Sequence, residues 1–322
     1  MKNYKLKILM PLYNREKYIA LALDSILKQK TDFDYQIIII DDGSTDNSLK
    51  IAKDYQNKNE NVKIIQNEKN LGLLKTIFKG YKELLNTSYF CVLDPDDYWC
   101  DENRLQKAID FLDKNQDYTI YSTNANVIDE NNNSYPLIKH KKGTNITSTY
   151  KEFLKTGHII IGTTVNTLYR NVVFFEGIPD SLAKIIETDN KATFRGDSFR
   201  NYLHLKYGKA FYVDEMSAVY NIASDGIFSN ESEISQMLVN LEALIGFGEF
   251  FIDDKKYYFK NANKLFKKIL NKMFKLKQIN KKQFDRLINN KEVLISKKYL
   301  KLNFIDILKL NYIEKLYKKG LI

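Results

Sequence analysis

The chain has 322 residues, 44% hydrophobic and 28% charged, enough for one large domain with an extension or for two modest domains. Its net charge of +10 is unevenly placed: residues 253–322 carry 20 Lys and Arg against 6 Asp and Glu, and residues 1–252 carry 30 against 34. No apolar run nears the roughly 20 residues that span a bilayer, two cysteines make no disulfide framework, and a slightly acidic body argues against nucleic acid as a partner. The opening MKNYKLKILMPLYN has too short an apolar stretch for a signal peptide, so a cytoplasmic chain is expected.

LKILMPLYN reads as a short buried strand ending at Pro11, and REKYIALALDSILKQK follows with helical apolar spacing. YQIIII, residues 35–40, is a continuous β-branched run that suits a strand covered on both faces of a parallel sheet. It breaks into Asp41-Asp42-Gly43-Ser44-Thr45-Asp46, where Ser44 or Asp46 can cap the helix through NSLKIAKDYQ. NVKIIQN is a third strand, residues 71–85 a helix and SYFCVL a fourth strand, with Cys91 in the core. A helix through ENRLQKAIDFLDKN and a strand through YTIYSTNANVI complete the alternation.

Past residue 125 the pattern loosens. ENNNSYPL predicts a turn, IIIGTTVNTLYR a strand, and GDSFRNYLHLKYGKAFYV a helix, then Gly208, then a strand. MSAVYN predicts another strand before a loop, and residues 231–252 an apolar helix. Lys-rich amphipathic helices run from residue 255 onward, and a boundary is placed near residue 252.

Alternating strands and helices predict a doubly wound α/β sheet, which binds ligands beyond the carboxyl ends of its strands. The unusual residues stand at those ends: Pro11-Leu12-Tyr13-Asn14, then Asp41-Asp42-Gly43-Ser44, then Asp94-Pro95-Asp96-Asp97. Neither a P-loop nor a G-x-G-x-x-G fingerprint is present. An Asp-x-Asp pair at a strand end suits Mg²⁺ or Mn²⁺, hard ions that bind through one or two carboxylates plus substrate phosphates. Without such an ion, carboxylates so close together raise one another's proton affinity.

LKILMPLYNREKYIALALDSILKQ, QIIIIDDGSTDNS and YFCVLDPDDYW, in that order, resemble the successive signature blocks of family 2 glycosyltransferases, which have the GT-A fold. FRGDSFRNYLHLKYGKAFYVDEMSAVYNIASDGIFS resembles the family's acceptor half more loosely. The resemblance implies a GT-A-like doubly wound mixed sheet flanked by helices over residues 1–252, with a nucleotide-sugar half at 1–125 and an acceptor half at 126–252. A Lys-rich helical extension occupies 253–322.

By that resemblance Pro11, Tyr13 and Asn14 line the nucleotide pocket, with Tyr13 packed on uracil or a similar ring. Asp42 accepts from the base N–H with Asp41 beside it, and Asp94 and Asp96 meet ribose and metal. Either Asp96 or Asp97 is the direct ligand of the Mn²⁺ or Mg²⁺. The family's Glu-Asp pair reads Gly196-Asp197 here, so Asp197 is the candidate base, its alternative being a helix cap, and Asp189 and Glu187 are spare carboxylates. Lys75 is the nearest cation for the diphosphate. The family's Tyr-Arg-x-His segment reads Tyr220-Asn221-Ile222-Ala223, with Asp225 and Ser229 close by. His158 and His204 show no ligand spacing and read as structural.

The implied activity is metal-dependent, inverting transfer from a nucleoside-diphosphate sugar, UDP-type, to a glycan or lipid-linked hydroxyl in bacterial surface polysaccharide or glycolipid assembly. The rivals are a catalytically inactive nucleotide-sugar or glycan binding protein of the same fold and a sugar nucleotidyltransferase. For the basic tail two readings stand: a packed helical appendage with a solvated Lys face, or attachment to an anionic membrane on the inner face of the cytoplasmic membrane.

Overall fold

In a computed structural model of the chain, the described residues are 2–139, 145–156, 163–180, 182–183, 196–222, 232–276 and 280–318. They fall into two compact units, the first within 1–153, 158–189 and 196–223, the second within 154–157, 190–195 and 224–322.

The first unit alternates as the periodicity predicts: β1 (Leu6–Leu12), α1 (Ile19–Leu27), β2 (Tyr35–Asp41), α2 (Ser48–Lys58), β3 (Val62–Gln66), α3 (Leu73–Lys82), β4 (Tyr89–Val92), β5 (Tyr98–Trp99), α4 (Arg104–Lys114) and β6 (Tyr118–Ile128). Then come β7 (Ser134–Pro136), β8 (Asn145–Ser148), α5 (Tyr150–Thr156), β9 (Thr167–Arg170), α6 (Gly196–Leu205) and β10 (Lys209–Asn221). Three of these strands, β5, β7 and β8, escape the sequence reading because pairing in space makes them strands, not a local apolar pattern. The strand expected over 159–170 is shorter: its described part is a 3-10 turn at Thr164–Asn166 followed by β9. The two strands expected after Gly208 are one, β10, which stays paired with β6 through register shifts between Tyr212 and Met216 and between Met216 and Ala218.

The sheet runs β3-β2-β1-β4-β9-β6-β10-β5, with β7 on β6 and β8 on β10. Strands β3, β2, β1 and β4 are mutually parallel. β9 is antiparallel to β4 and to β6, while β10 is parallel to β6. Six strands therefore point their carboxyl ends toward one edge. Ile37, Ile38, Ile39 and Ile40 are all fully buried, as expected of a central strand covered on both faces. One face packs on Ile19, Leu23 and Ile26 of α1 and on Leu105, Ile109 and Leu112 of α4. Pro11 lies inside β1, where Leu9 accepts the last bond from that side, given by the Leu93 N–H. Pro11 faces the same way one step further on, where the ladder has opened, so its missing N–H costs no bond.

Among its described residues the second unit holds four α-helices: α7 (Glu233–Phe250), α8 (Lys255–Leu276), α9 (Lys281–Ser296) and α10 (Phe304–Lys318). Leu238, Leu241 and Ile245 of α7 share one core with Phe266, Ile269 and Met273 of α8, Leu287 and Leu294 of α9, and Leu310 and Ile313 of α10. The apolar helix that the sequence places in the acceptor half thus packs with the Lys-rich helices, and the second compact unit takes in residues from 224 onward. α7 supplies their counter-charges. Glu242 takes a two-pronged 2.7 Å pair from Arg286, Glu249 pairs with Lys297 at 3.3 Å, and Glu233 pairs with Lys272.

Candidate active site

The loops after β1 and β2 are stitched together. Asn14 has a left-handed backbone at φ 48°. Its N–H donates to the Ser44 hydroxyl at 3.1 Å, and its side-chain oxygen accepts from the Thr45 N–H at 2.8 Å. The Arg15 N–H donates to the Ser48 hydroxyl, and the Glu16 N–H to the Asp46 carboxylate at 3.0 Å. Asp46 also accepts from the Ser48 N–H, the first of α2, at 2.9 Å; the N-cap residue itself is Asn47, which makes no side-chain cap bond, so neither Ser44 nor Asp46 is the cap. Asn14 is a loop clasp, and Tyr13 beside it stands 42% exposed, free to meet a flat ring.

Asp42 is buried and holds the turn before α3. One oxygen accepts from Asn67 and from the Leu71 N–H, both at 2.8 Å; the other accepts from the Gly72 N–H at 2.9 Å. Three of about four acceptor positions on the carboxylate are thereby used. Asn67 in turn donates to Thr76 at 3.1 Å and accepts from Lys79. Asp41 is fully buried, and its carboxylate accepts from the Ser44 N–H at 3.3–3.4 Å. Lys75 sits half-buried in the first turn of α3.

The acidic turn leaves β4 and closes with the Asp97 N–H donating to the Asp94 carbonyl at 3.0 Å. β10 anchors it. The Asn221 N–H donates to the Asp97 carboxylate at 3.0 Å, and the Asn221 amide to the Asp96 carbonyl at 2.7 Å. Asn221 stands where the resembled family has Arg, and here it grips the turn. The three carboxylates part in direction. Asp97 is only 2% exposed and faces Asn221, whereas Asp96 lies 3.4 Å from the Arg15 Nε at the end of β1. Burial pushes the Asp94 carboxyl up to about 7, with Asp96 and Asp197 adding to the rise and Arg200 and Arg15 opposing it. Burial pushes Asp97 well up too, and its acidic neighbours add to that.

Asp197 comes to this cluster from α6. One of its oxygens accepts from the Ser198 N–H at 2.7 Å, so it also supports the helix start. Tyr220 senses all four acids: burial first, then the charges of Asp97, Asp94, Asp96 and Asp197, push its hydroxyl up to about 12. Arg200, one turn after Asp197, is buried at 2% exposure and donates to the Tyr81 hydroxyl at 3.3 Å and the Thr164 hydroxyl at 3.0 Å. A Cβ on Gly196 would meet that guanidinium at 3.2 Å, a tight contact. His204 packs among Phe90, Tyr169 and Phe174, and burial lowers its pKa to about 3: it is a neutral core residue. Asp189, Glu187, Asp225, Ser229 and His158 lie outside the described residues.

The β1 and β2 ends, the acidic turn and Asp197 therefore belong to one edge of the sheet. Arg15, Asn67, Arg200 and Asn221 are participants that the sequence reading passes over. Only Asn221 left a trace there, as a departure from the resembled pattern. Among the described residues no three His, Cys, Asp or Glu side chains stand together as a cage for an ion. The crowded acids of the turn, two with raised proton affinity, are nevertheless the donor chemistry of a hard cation that keeps water and phosphate oxygens as further ligands.

A family model described as Glycosyl transferase family 2 matches residues 7–176. The minor teichoic acid biosynthesis protein GgaA of Bacillus subtilis is 31% identical over 179 residues, which cover 53% of this chain and 40% of that protein. Residues 1–349 of S. aureus TarS in complex with UDP-GlcNAc share the fold at a TM-score of 0.56 and 19% identity, over 98% of this chain and 92% of that one. The mannosyltransferase PcManGT of Pyrobaculum calidifontis, in complex with GDP-Man and Mn²⁺, shares it at 0.52 and 12% identity, over 92% and 82%. The chain spans 58% or less of the length of the curated relatives it matches.

Proposed function

The chain belongs to glycosyltransferase family 2, and we propose that it moves a sugar from a nucleoside-diphosphate donor, UDP-linked, to a hydroxyl of a glycan or lipid-linked acceptor, with inversion and with the help of Mn²⁺ or Mg²⁺. The observation that carries this is the meeting of Asp197 with the Asp94–Asp97 turn at the carboxyl edge of the sheet. TarS with UDP-GlcNAc and PcManGT with GDP-Man and Mn²⁺ support the donor class and the ion. The teichoic acid role in the name of GgaA supports a surface glycopolymer as the setting.

In this reading Tyr13 offers its exposed ring to the base. Asp42 keeps the 67–72 turn in place, so the base pocket is formed before the donor arrives. Asp94 and Asp96 face the ribose and diphosphate end. Asp96 is the residue that would hold the ion, because Asp97 is buried and committed to the Asn221 N–H. The ion, when bound, neutralises the leaving diphosphate. Arg15, 3.4 Å from Asp96, brings a cation to the same place, where it would also face the phosphates. Asp197 takes the proton of the acceptor hydroxyl as that oxygen attacks the anomeric carbon. Arg200, a cation that does not deprotonate, places a buried positive charge within electrostatic reach of Asp197.

The test is release of nucleoside diphosphate from a set of nucleotide sugars with Mn²⁺ present. Wild type should hydrolyse one donor slowly without acceptor, and Asp96→Ala should lose metal-dependent turnover. An Asp96→Ala protein as fast as wild type would remove the assignment. A wild type that binds donor yet releases no diphosphate would make the chain a binding protein.

A further inference from the structure

The basic helices spend much of their charge internally, and α10 is built differently. Its two acids are both paired: Asp306 is buried and pairs with Lys267 at 3.2 Å, and the half-buried Glu314 pairs with Lys291 at 3.2 Å. Leu310 and Ile313 face the core of the unit. Among the described residues of α10, the exposed ones are apolar and basic but for one amide, Asn311. Ile305 is 58% exposed, Leu308 51% and Tyr312 37%, and Lys315 follows, spaced along one helix face, with Ile307 44% exposed next to them. Lys301 and Lys318 are exposed near the two ends of the helix.

We propose that this face of α10 is a docking surface for an anionic lipid bilayer, lying in the plane of the interface with Ile305, Leu308 and Tyr312 among the acyl chains and Lys301, Lys315 and Lys318 at the headgroups. Charge complementarity selects this occupant: the exposed face presents lysines and no carboxylate. A second copy on the same face would set those lysines against one another in a two-fold contact. The helix has 15 residues, about 22 Å of rise, short of the ~30 Å hydrocarbon core. No helix among the described residues is long and apolar enough to cross a membrane. Apolar contact and lysine attraction together hold such a helix reversibly. The inference is independent of the transfer reaction and can fail or stand without it.

The experiment is flotation of the whole chain with vesicles of phosphatidylcholine alone and of phosphatidylcholine mixed with phosphatidylglycerol. Wild type should float with the anionic vesicles only and come off in high salt. Ile305→Asp with Leu308→Asp should drop out of the lipid fraction by tenfold or more at equal lipid. Lys315→Glu should weaken binding about fivefold or more. The melting temperature and diphosphate release of these variants should stay at wild-type values. Equal flotation of the double variant, or no flotation of wild type, overturns the proposal. So does a wild-type dimer, formed without lipid, that the double variant converts to monomer, because the face would then be a self-contact.

Discussion

Two carboxylates at this site answer to opposite demands. Asp97 is buried against Asn221 and shapes the turn, while Asp197 sits at a helix start and keeps an oxygen that accepts no bond from a described residue. Asp197→Asn preserves shape and the helix-start bond but removes the proton acceptor. Its kcat should fall by roughly 10²–10⁴-fold while KM for the donor and the melting temperature hold. A loss of similar size in donor affinity would make Asp197 a binding residue instead. At the altered pair, a Cβ on Gly196 would lie 3.2 Å from the guanidinium of Arg200, so the position before Asp197 is tightly packed.

At the scale of elements, the site depends on loops that cross at close quarters. Gly43 adopts φ +73°, and a Cβ there would lie 2.8 Å from the Lys69 carbonyl carbon and 2.9 Å from the Asn70 nitrogen. Backbone cannot yield as a side-chain tip can. Gly43→Ala should therefore cost about 1–3 kcal/mol in denaturant titrations and raise KM for the donor, because the loops after β2 and β3 must part. Unchanged stability would mean that the loops separate freely. Strand β5 makes the same point for the acidic turn. Only two residues long, it pairs Tyr98 with Val219 and Trp99 with Ala218, and the Trp99 indole N–H donates to the Val165 carbonyl at 2.9 Å. Arg104 lies over that indole at 4.5 Å. The turn is thus tied at both ends.

For the molecule as a whole, the acidic turn is a proton-linked element. In the folded protein the Asp94 carboxyl holds its proton up to about 7, whereas the unfolded chain releases it near the ordinary value of 3.8. The folded state then binds more protons, so this group makes the metal-free protein lose stability as pH rises from about 4 to about 7, with no further change above. Carboxylates with lowered values, Asp46 and Asp113 among them, work the other way in the acid range, so the readout is a difference between proteins. The melting temperature of Asp94→Asn relative to wild type should increase across that interval, and Mn²⁺ affinity of wild type should rise with pH until it levels near 7. A wild-type and Asp94→Asn pair with parallel pH curves would show that Asp94 is ionised throughout. The charge asymmetry is likewise a property of the whole: the +14 of residues 253–322 is partly matched by acids of α7, which falls outside those residues in sequence and inside their unit in space.

The amino-acid sequence alone determined the alternating sheet and the carboxylates at the strand ends, which mark the edge of the candidate site, because helical and strand periods and strand-end polarity are local patterns. Tertiary structure decided the rest. It turned Asp96 and Asp97 apart, brought Asn221 across from the other half of the sheet, buried Arg200 beside Asp197, and moved α7 into the basic unit. Each of these depends on which residues, distant along the chain, share a hydrogen bond or a low-dielectric space, and no local period encodes that.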